Sequence, residues 1–204
     1  MTEHIEIHLI DDEVDVTNSL KWLLETVNLA SLTYNDPRGF LERYSSQVGP
    51  CIIVSDLRMP FHSGLDLFEA QKRLHRTDPV ILLTGHGDVR TAVRAMKLGA
   101  FDFLMKPFNP QEFLDCINRA ADQALEMWQQ ADRHRAQSEL VSTLSAREKD
   151  VFEFILDGAS SKQIARQLEI SVKTVDVHRS KILHKLRVRT AHELISKFAT
   201  VAEY

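Results

Sequence analysis

Five functional groups in this chain stand where strands are expected to end. Asp11 and Asp12 follow the run IEIHLI (5–10), Asp56 follows CIIVS (51–55), Thr84 follows PVILL (79–83), and Lys106 comes just after AFDFL (100–104). The runs are apolar and often β-branched, the pattern of strands buried on both faces. In an open parallel sheet, ligands and chemistry gather at the carboxyl ends of the strands. A single Asp after a strand is more often a helix cap than a reactive group. Capping does not explain carboxylates, a hydroxyl and an ammonium at successive strand ends. Clustered carboxylates repel one another unless a hard cation with oxygen ligands lies between them, and Mg²⁺ suits that role best. An Asp carboxylate can attack phosphorus and form an acyl phosphate. A cation and Lys106 would neutralise the phosphoryl oxygens as charge develops. The hydroxyl of Thr84 would then be placed to bond one of those oxygens.

The elements that must position these groups alternate. Strand-like runs at 5–10, 31–35, 51–55, 79–83 and 100–104 are separated by helical spacing over 13–27, 37–45, 64–74 and 88–98. Val16, Leu20, Leu23, Leu24 and Val27 share one side of the first helix, and Gly99 stands where a left-handed C-cap belongs. Such βα alternation implies a parallel sheet with helices on both faces. A fifth helix opens at Asn109-Pro110 with Glu112 in capping-box position, and its stripe runs Phe113, Ile117, Ala120, Ala124, Trp128. The sequence then turns polar without Gly or Pro, so 125–142 reads as a helical linker. Beyond it, Ser145…Glu148, Ser160…Gln163, Ser171 and Thr190…Glu193 open four helices. A three-residue turn, Glu169 to Ser171, joins the second and third, as in a helix-turn-helix bundle.

The 204 residues suffice for two domains, and the net charge of −4 is unevenly spread. Residues 1–124 carry net −6 and residues 143–204 net +3, with six Lys/Arg against one Asp between Lys173 and Arg189. The basic stretch suits a polyanion. No apolar run approaches the length of a membrane span, and the N-terminus lacks the features of a signal peptide, so the expected compartment is the cytoplasm. Cys51 and Cys116 are far apart and read as reduced, buried thiols. No GxGxxG or GxxxxGK[ST] motif is present, and Asp56-Leu-Arg lacks the second Asp of haloacid-dehalogenase-type hydrolases. A phosphatase or nucleotide-binding enzyme is thereby disfavoured, and the only chemistry expected is self-directed phosphotransfer and autodephosphorylation.

LIDDE (9–13), SDLRMP (55–60), LTGHGD (83–88) and GAFDFLMKPF (99–108) make residues 1–124 resemble a response-regulator receiver domain. The resemblance implies an α/β flavodoxin-like (βα)5 fold with strand order 2-1-3-4-5. It implies Asp56 as phosphoacceptor and a sensor histidine kinase as partner. Asp12, Asp56 and the backbone carbonyl of Arg58 would hold Mg²⁺, with Asp11 orienting its waters. Thr84 and Lys106 would read the phosphoryl group, and Phe103 matches the family's switch aromatic. Arg58 and His86 occupy positions that tune dephosphorylation. Phe61 and His62 stand where many members have small residues.

Residues 143–204 resemble the LuxR/FixJ-type DNA-binding domain through LSAREKDVFEFILDGASSKQIARQLEIS and VKTVDVHRSKILHKLRVRTAHEL. At 100° per residue the third helix turns Val175, Ile182 and Leu186 inward and Lys173, Val177, Ser180 and His184 outward. Val177 would meet a thymine methyl and Ser180 a base edge. Lys173, Arg179, Lys181 and Lys185 read as phosphate contacts, with Thr174 beside them. Asp176 departs from the lysine of many relatives; an acid there can accept from a cytosine amino group but repels phosphate. Promoter DNA and RNA polymerase are the implied partners, and activation is the expected sign. Phosphorylation would move Thr84 and Phe103 and alter the fourth helix and fifth strand, so that the receiver dimerises or releases the DNA-binding half. A helical linker holding a dimer beforehand is an equal alternative, and an output domain that binds protein or RNA instead of DNA is the rival reading.

Overall fold

The computed structural model describes residues 5–59, 62–64, 66–85 and 89–199. Strands β1 (Glu6–Ile10), β2 (Ser31–Tyr34), β3 (Cys51–Asp56), β6 (Val80–Thr84) and β7 (Asp102–Met105) form one parallel sheet in the order β2-β1-β3-β6-β7. The expected order 2-1-3-4-5 is the same arrangement of long strands. The count differs because a two-stranded antiparallel ribbon, β4 (Arg58–Met59) with β5 (His62–Ser63), follows β3 directly. Helices α1 (Val14–Thr26), α2 (Pro37–Ser45), α3 (Asp66–Arg73) and α4 (Val89–Lys97) connect the strands, and α5 (Pro110–Ser142) follows the last.

Period-two alternation splits the sheet's side chains into two cores. On one face Ile7, Leu9, Ile52, Val54, Ile81, Leu83 and Leu104 pack with Leu20 and Leu24 of α1 and Phe113, Ile117, Ala120 and Ala124 of α5. On the other, Ile10, Ile53, Val80 and Leu82 meet Phe40 and Tyr44 of α2, Leu67 of α3 and Ala95 of α4. Cys51 and Cys116 are free and buried within these cores, and burial pushes both thiols up, Cys116 to about 12. The register brings the strand ends level. Ile10 pairs with Ser55, Asp56 with Leu83, and Thr84 with Met105. Asp11, Asp56, Thr84 and Lys106 therefore leave the sheet at one edge.

The second unit is helical: α6 (Ala146–Leu156), α7 (Ser161–Gln167), α8 (Val172–Lys185) and α9 (Ala191–Phe198). Ser145 with Glu148, and Ser160 with Gln163, form reciprocal capping boxes, while Ser171 and Thr190 cap α8 and α9 through Thr174 N–H and Glu193 N–H. Gly158 ends the α6 turn at φ +76°. The helices enclose one apolar core that includes Val151, Phe152, Ile155, Val175, Ile182 and Phe198. The chain divides into compact units Met1–Gln129 and Gln130–Tyr204, and the division falls inside α5. Among the described residues no helix is long and apolar enough to cross a membrane.

Candidate phosphoacceptor site and DNA-binding face

Asp56 is the last residue of the central strand β3, and only 8% of it is exposed. Its Oδ1 accepts from Lys106 Nζ at 2.7 Å, and its Oδ2 accepts from the Arg58 backbone N–H at 2.6 Å. The same ammonium donates to Asp11 Oδ2 at 2.6 Å, while Asp11 Oδ1 accepts the Glu13 N–H. One cation, from after β7, thus holds two buried carboxylates, one from after β1 and one from the end of β3. Burial works against the charged ammonium, but its hydrogen bonds to Asp11 and Asp56 outweigh that and raise the Lys106 pKa.

The backbone fixes the loops that carry these groups. Asp11 N–H donates to the Tyr34 carbonyl, Leu57 N–H to Leu83, and Lys106 N–H to Thr84. Gly64 returns beneath Asp56 after the β4–β5 ribbon. A Cβ there would stand 2.7 Å from the Asp56 carbonyl oxygen and 2.9 Å from Leu82 Cδ2, so only hydrogen fits. Thr84 is buried, and its hydroxyl donates to the Gly85 carbonyl at 3.2 Å. Phe103, on β7, is 39% exposed. Asp12 is exposed beside buried Asp11. Among the described residues no set of three or more His, Cys, Asp or Glu side chains is gathered closely enough to hold an ion. The donors that do converge, two carboxylates sharing one ammonium, are hard and net negative, which is the chemistry a Mg²⁺ ion requires. His86 and Phe61 lie outside the described residues, as does the side chain of His62.

Beside Lys106 a groove of about 810 Å³ runs between α1 and the start of α5, lined by Val16, Trp22, Leu23, Pro107 and Phe108. Trp22 is 69% exposed.

In the second unit, α8 buries Val175, Ile182 and the C-capping Leu186, and turns Lys173, Thr174, Asp176, Val177, Ser180, Lys181 and His184 to solvent. Val177 is 48% exposed among these polar neighbours. The helix begins directly after the tight turn Glu169–Ser171, where Glu169 takes φ +53°.

Comparison with known proteins agrees with both halves. Residues 7–118 match the response regulator receiver domain family, and residues 142–198 match the bacterial regulatory proteins of the luxR family. The chain belongs to the response regulators. Among its relatives, this response regulator is 36% identical over 189 residues to the transcriptional regulatory protein TdiR of Thauera aromatica, covering 93% of this chain and 83% of TdiR. It is 37% identical over 195 residues to the transcriptional regulatory protein FixJ of Azorhizobium caulinodans, covering 96% and 92%. The structure of the response regulator StyR superposes with a TM-score of 0.81 at 34% identity over 97% of this chain and 99% of that one. Full-length FixJ from B. japonicum superposes with a TM-score of 0.59 at 33% identity, over all of both chains. This response regulator is a receiver joined to a LuxR-type DNA-binding domain, and it is a transcription regulator.

Two of the side chains expected to contact phosphate in this response regulator are engaged within the domain. Arg179, half-buried, donates to the Ala159 carbonyl at 3.3 Å. Lys185 donates to Glu148 Oε2 at 2.6 Å and to the Thr143 carbonyl at 3.2 Å. Asp176 accepts from the Ser161 hydroxyl at 2.8 Å, a partner on α7 that spacing along α8 does not reveal. The groove with Trp22 also escaped sequence reasoning. Its other wall, Pro107 and Phe108, comes from more than eighty residues further along the chain, so spacing along α1 does not reveal it.

Proposed function

We propose that the response regulator takes a phosphoryl group onto Asp56 from a sensor histidine kinase in the cytoplasm and then acts on promoter DNA through α8. The observation that carries this is the bridge from Lys106 to both Asp11 and Asp56. It puts a cation at the carboxylate that attacks, where the charge of the arriving phosphoryl oxygens develops. The phosphorus–nitrogen bond of a phosphohistidine breaks as an Asp56 oxygen bonds to phosphorus. Lys106 then follows the phosphoryl oxygens, and Thr84 leaves Gly85 to donate to one of them. Phe103 moves inward from its exposed place. Asp12, Asp56 and the Arg58 carbonyl would hold Mg²⁺, with Asp11 orienting its waters; that ion supplies charge neutralisation during transfer.

Exposed Val93, Met96 and Leu98 on and after α4, together with Phe103 and Met105 on β7, support a homodimer formed through this side of the receiver. The apolar groove beside Lys106 supports docking of the kinase, since a donor must approach Asp56 from the edge where Lys106 lies. Lys173, Thr174, Asp176, Val177, Ser180 and Lys181 form the face toward DNA, with Arg179 at its margin. Two copies would read half-sites about one helical turn apart, and recruitment of RNA polymerase makes the outcome activation.

The test is phosphotransfer with Mg²⁺ followed by DNA binding, on wild type, Asp56→Asn and Trp22→Ala. Asp56→Asn should take no label from any donor, and only phosphorylated wild type should bind DNA more tightly. Trp22→Ala should accept normally from a small phosphodonor and poorly from the kinase. Labelling of Asp56→Asn would move the acceptor elsewhere.

A further inference from the structure

Lys185 lies in the last turn of α8, where a cation is expected to reach for DNA. Its ammonium instead points back into the domain. It pairs with Glu148, whose side chain is 6% exposed, and it also donates to the Thr143 carbonyl. Thr143 follows the last residue of α5, so its carbonyl belongs to the negative end of that helix. Glu148 is the third residue of α6, and its Oε2 also accepts the Ser145 N–H in the capping box. The end of one helix and the start of the next therefore converge on one ammonium carried by a third. The Lys185 bond and the Ser145 N–H hold the Glu148 carboxyl down at about 2.

We propose that Lys185 is a positioning residue: it ties the last turn of α8 to the joint between α5 and α6, sets the angle at which α8 meets the major groove, and makes no contact with phosphate. This rests on α8 being the helix that reads DNA. A helix pinned at Lys185 presents Lys173, Val177 and Ser180, which precede it on α8, at a fixed tilt. Without the tie the face remains basic, but its register on the bases is lost. Sequence-independent attraction to the backbone depends on charge and survives. Base discrimination depends on geometry and does not.

The experiment measures binding of the full-length chain across a range of salt to two duplexes, one recovered from a random pool with wild type and a scrambled control. The variants are Lys185→Met, Glu148→Gln, their combination, and Lys173→Ala. Lys185→Met and Glu148→Gln should each weaken binding to the recovered duplex by about tenfold, the size of one lost charged hydrogen bond. Binding to the scrambled duplex and the salt slope should stay unchanged, and the double variant should lose no more than Lys185→Met alone. Lys173→Ala should flatten the salt slope by about 0.9, one phosphate contact. A flatter slope for Lys185→Met, with Glu148→Gln binding as well as wild type or better, would make Lys185 a phosphate contact and overturn the proposal. Equal losses on both duplexes would reduce the tie to a support for folding and overturn it too. An unchanged slope and affinity for Lys173→Ala would instead reject α8 as the reader. Should Lys185→Met fail to fold, Glu148→Gln decides, because it keeps the ammonium and its bond to Thr143.

Discussion

The two units bury different things. Among the described residues, the receiver encloses His8, Asp11, Thr17, Ser55, Asp56, Gln71 and Thr84, whereas the DNA-binding unit encloses one charged residue, Glu148. A buried polar group costs stability unless it is paired, so the ionisable ones among them, His8, Asp11 and Asp56, make the receiver fold responsive to charge. The helical unit holds fewer such groups: Glu148, which is paired with Lys185, and His178, whose buried Nδ1 has no hydrogen-bond partner among the described residues. Its core is apolar, its helix ends are closed by serine and threonine caps, and its reactive surface faces outward. One half is built to respond and the other to hold a shape that can be presented.

Acid should separate them most. His8 is fully buried in β1, its Nδ1 3.2 Å from the Tyr34 hydroxyl, and among the described residues its Nε2 has no hydrogen-bond partner. Burial holds its pKa down to about 4, with nearby Glu6 and Asp78 pulling upward and Arg43 and Arg76 downward. The unfolded chain takes up a proton on this residue near pH 6.5 that the fold refuses. Receiver stability is therefore complete above that pH and falls as pH drops toward 4, by about 3 kcal/mol. Glu148, held down at about 2, makes its contribution above its ordinary pKa of 4.5 and loses it only as pH falls from there toward 2. Calorimetry between pH 7 and 4 should show the receiver transition descending first, and His8→Leu should flatten the descent. A receiver transition indifferent to pH in that window would remove His8 as the cause.

A smaller effect tests the outward face. Asp176, held by Ser161, should discriminate at one base position by about 2 kcal/mol through an accepted cytosine amino bond. A panel of duplexes bound by Asp176→Ala should show that preference collapse while affinity for other sequences rises. Uniform tightening with preference intact would reduce Asp176 to a surface partner of Ser161. The smallest effect concerns the turn before α8. Glu169 occupies left-handed backbone without being glycine, so Glu169→Gly should stabilise the DNA-binding unit by about 0.5–1 kcal/mol. Thermal unfolding would register this as a rise in that unit's transition alone, and a fall would mean that the Glu169 side chain stabilises the turn.

Much of this was legible in the sequence because sheet topology converts strand ends into neighbours. Asp11, Asp56, Thr84 and Lys106 are spread over nearly a hundred residues, yet each follows an apolar run, and parallel pairing levels those ends. The caps at Ser145, Ser160, Ser171 and Thr190 are local signals and sit where spacing places them. What escaped depends on partners remote in sequence. Lys185 meets Glu148 across 37 residues, and helical periodicity reports which side a lysine leaves but not where its four-carbon stem ends. His8 was hidden because a strand buried on both faces gives its polar member no outward turn.

Gly64 carries the site into a different setting, that of inheritance. Because the chain doubles back against the Asp56 carbonyl with no room for a side chain, this codon has no neutral neighbours. Asn in place of Asp56 adds no volume, so the fold should stand after that change. A change at Gly64 pushes β3 and the loop after it apart, so a lineage that drifts there loses the strand end and its architecture together.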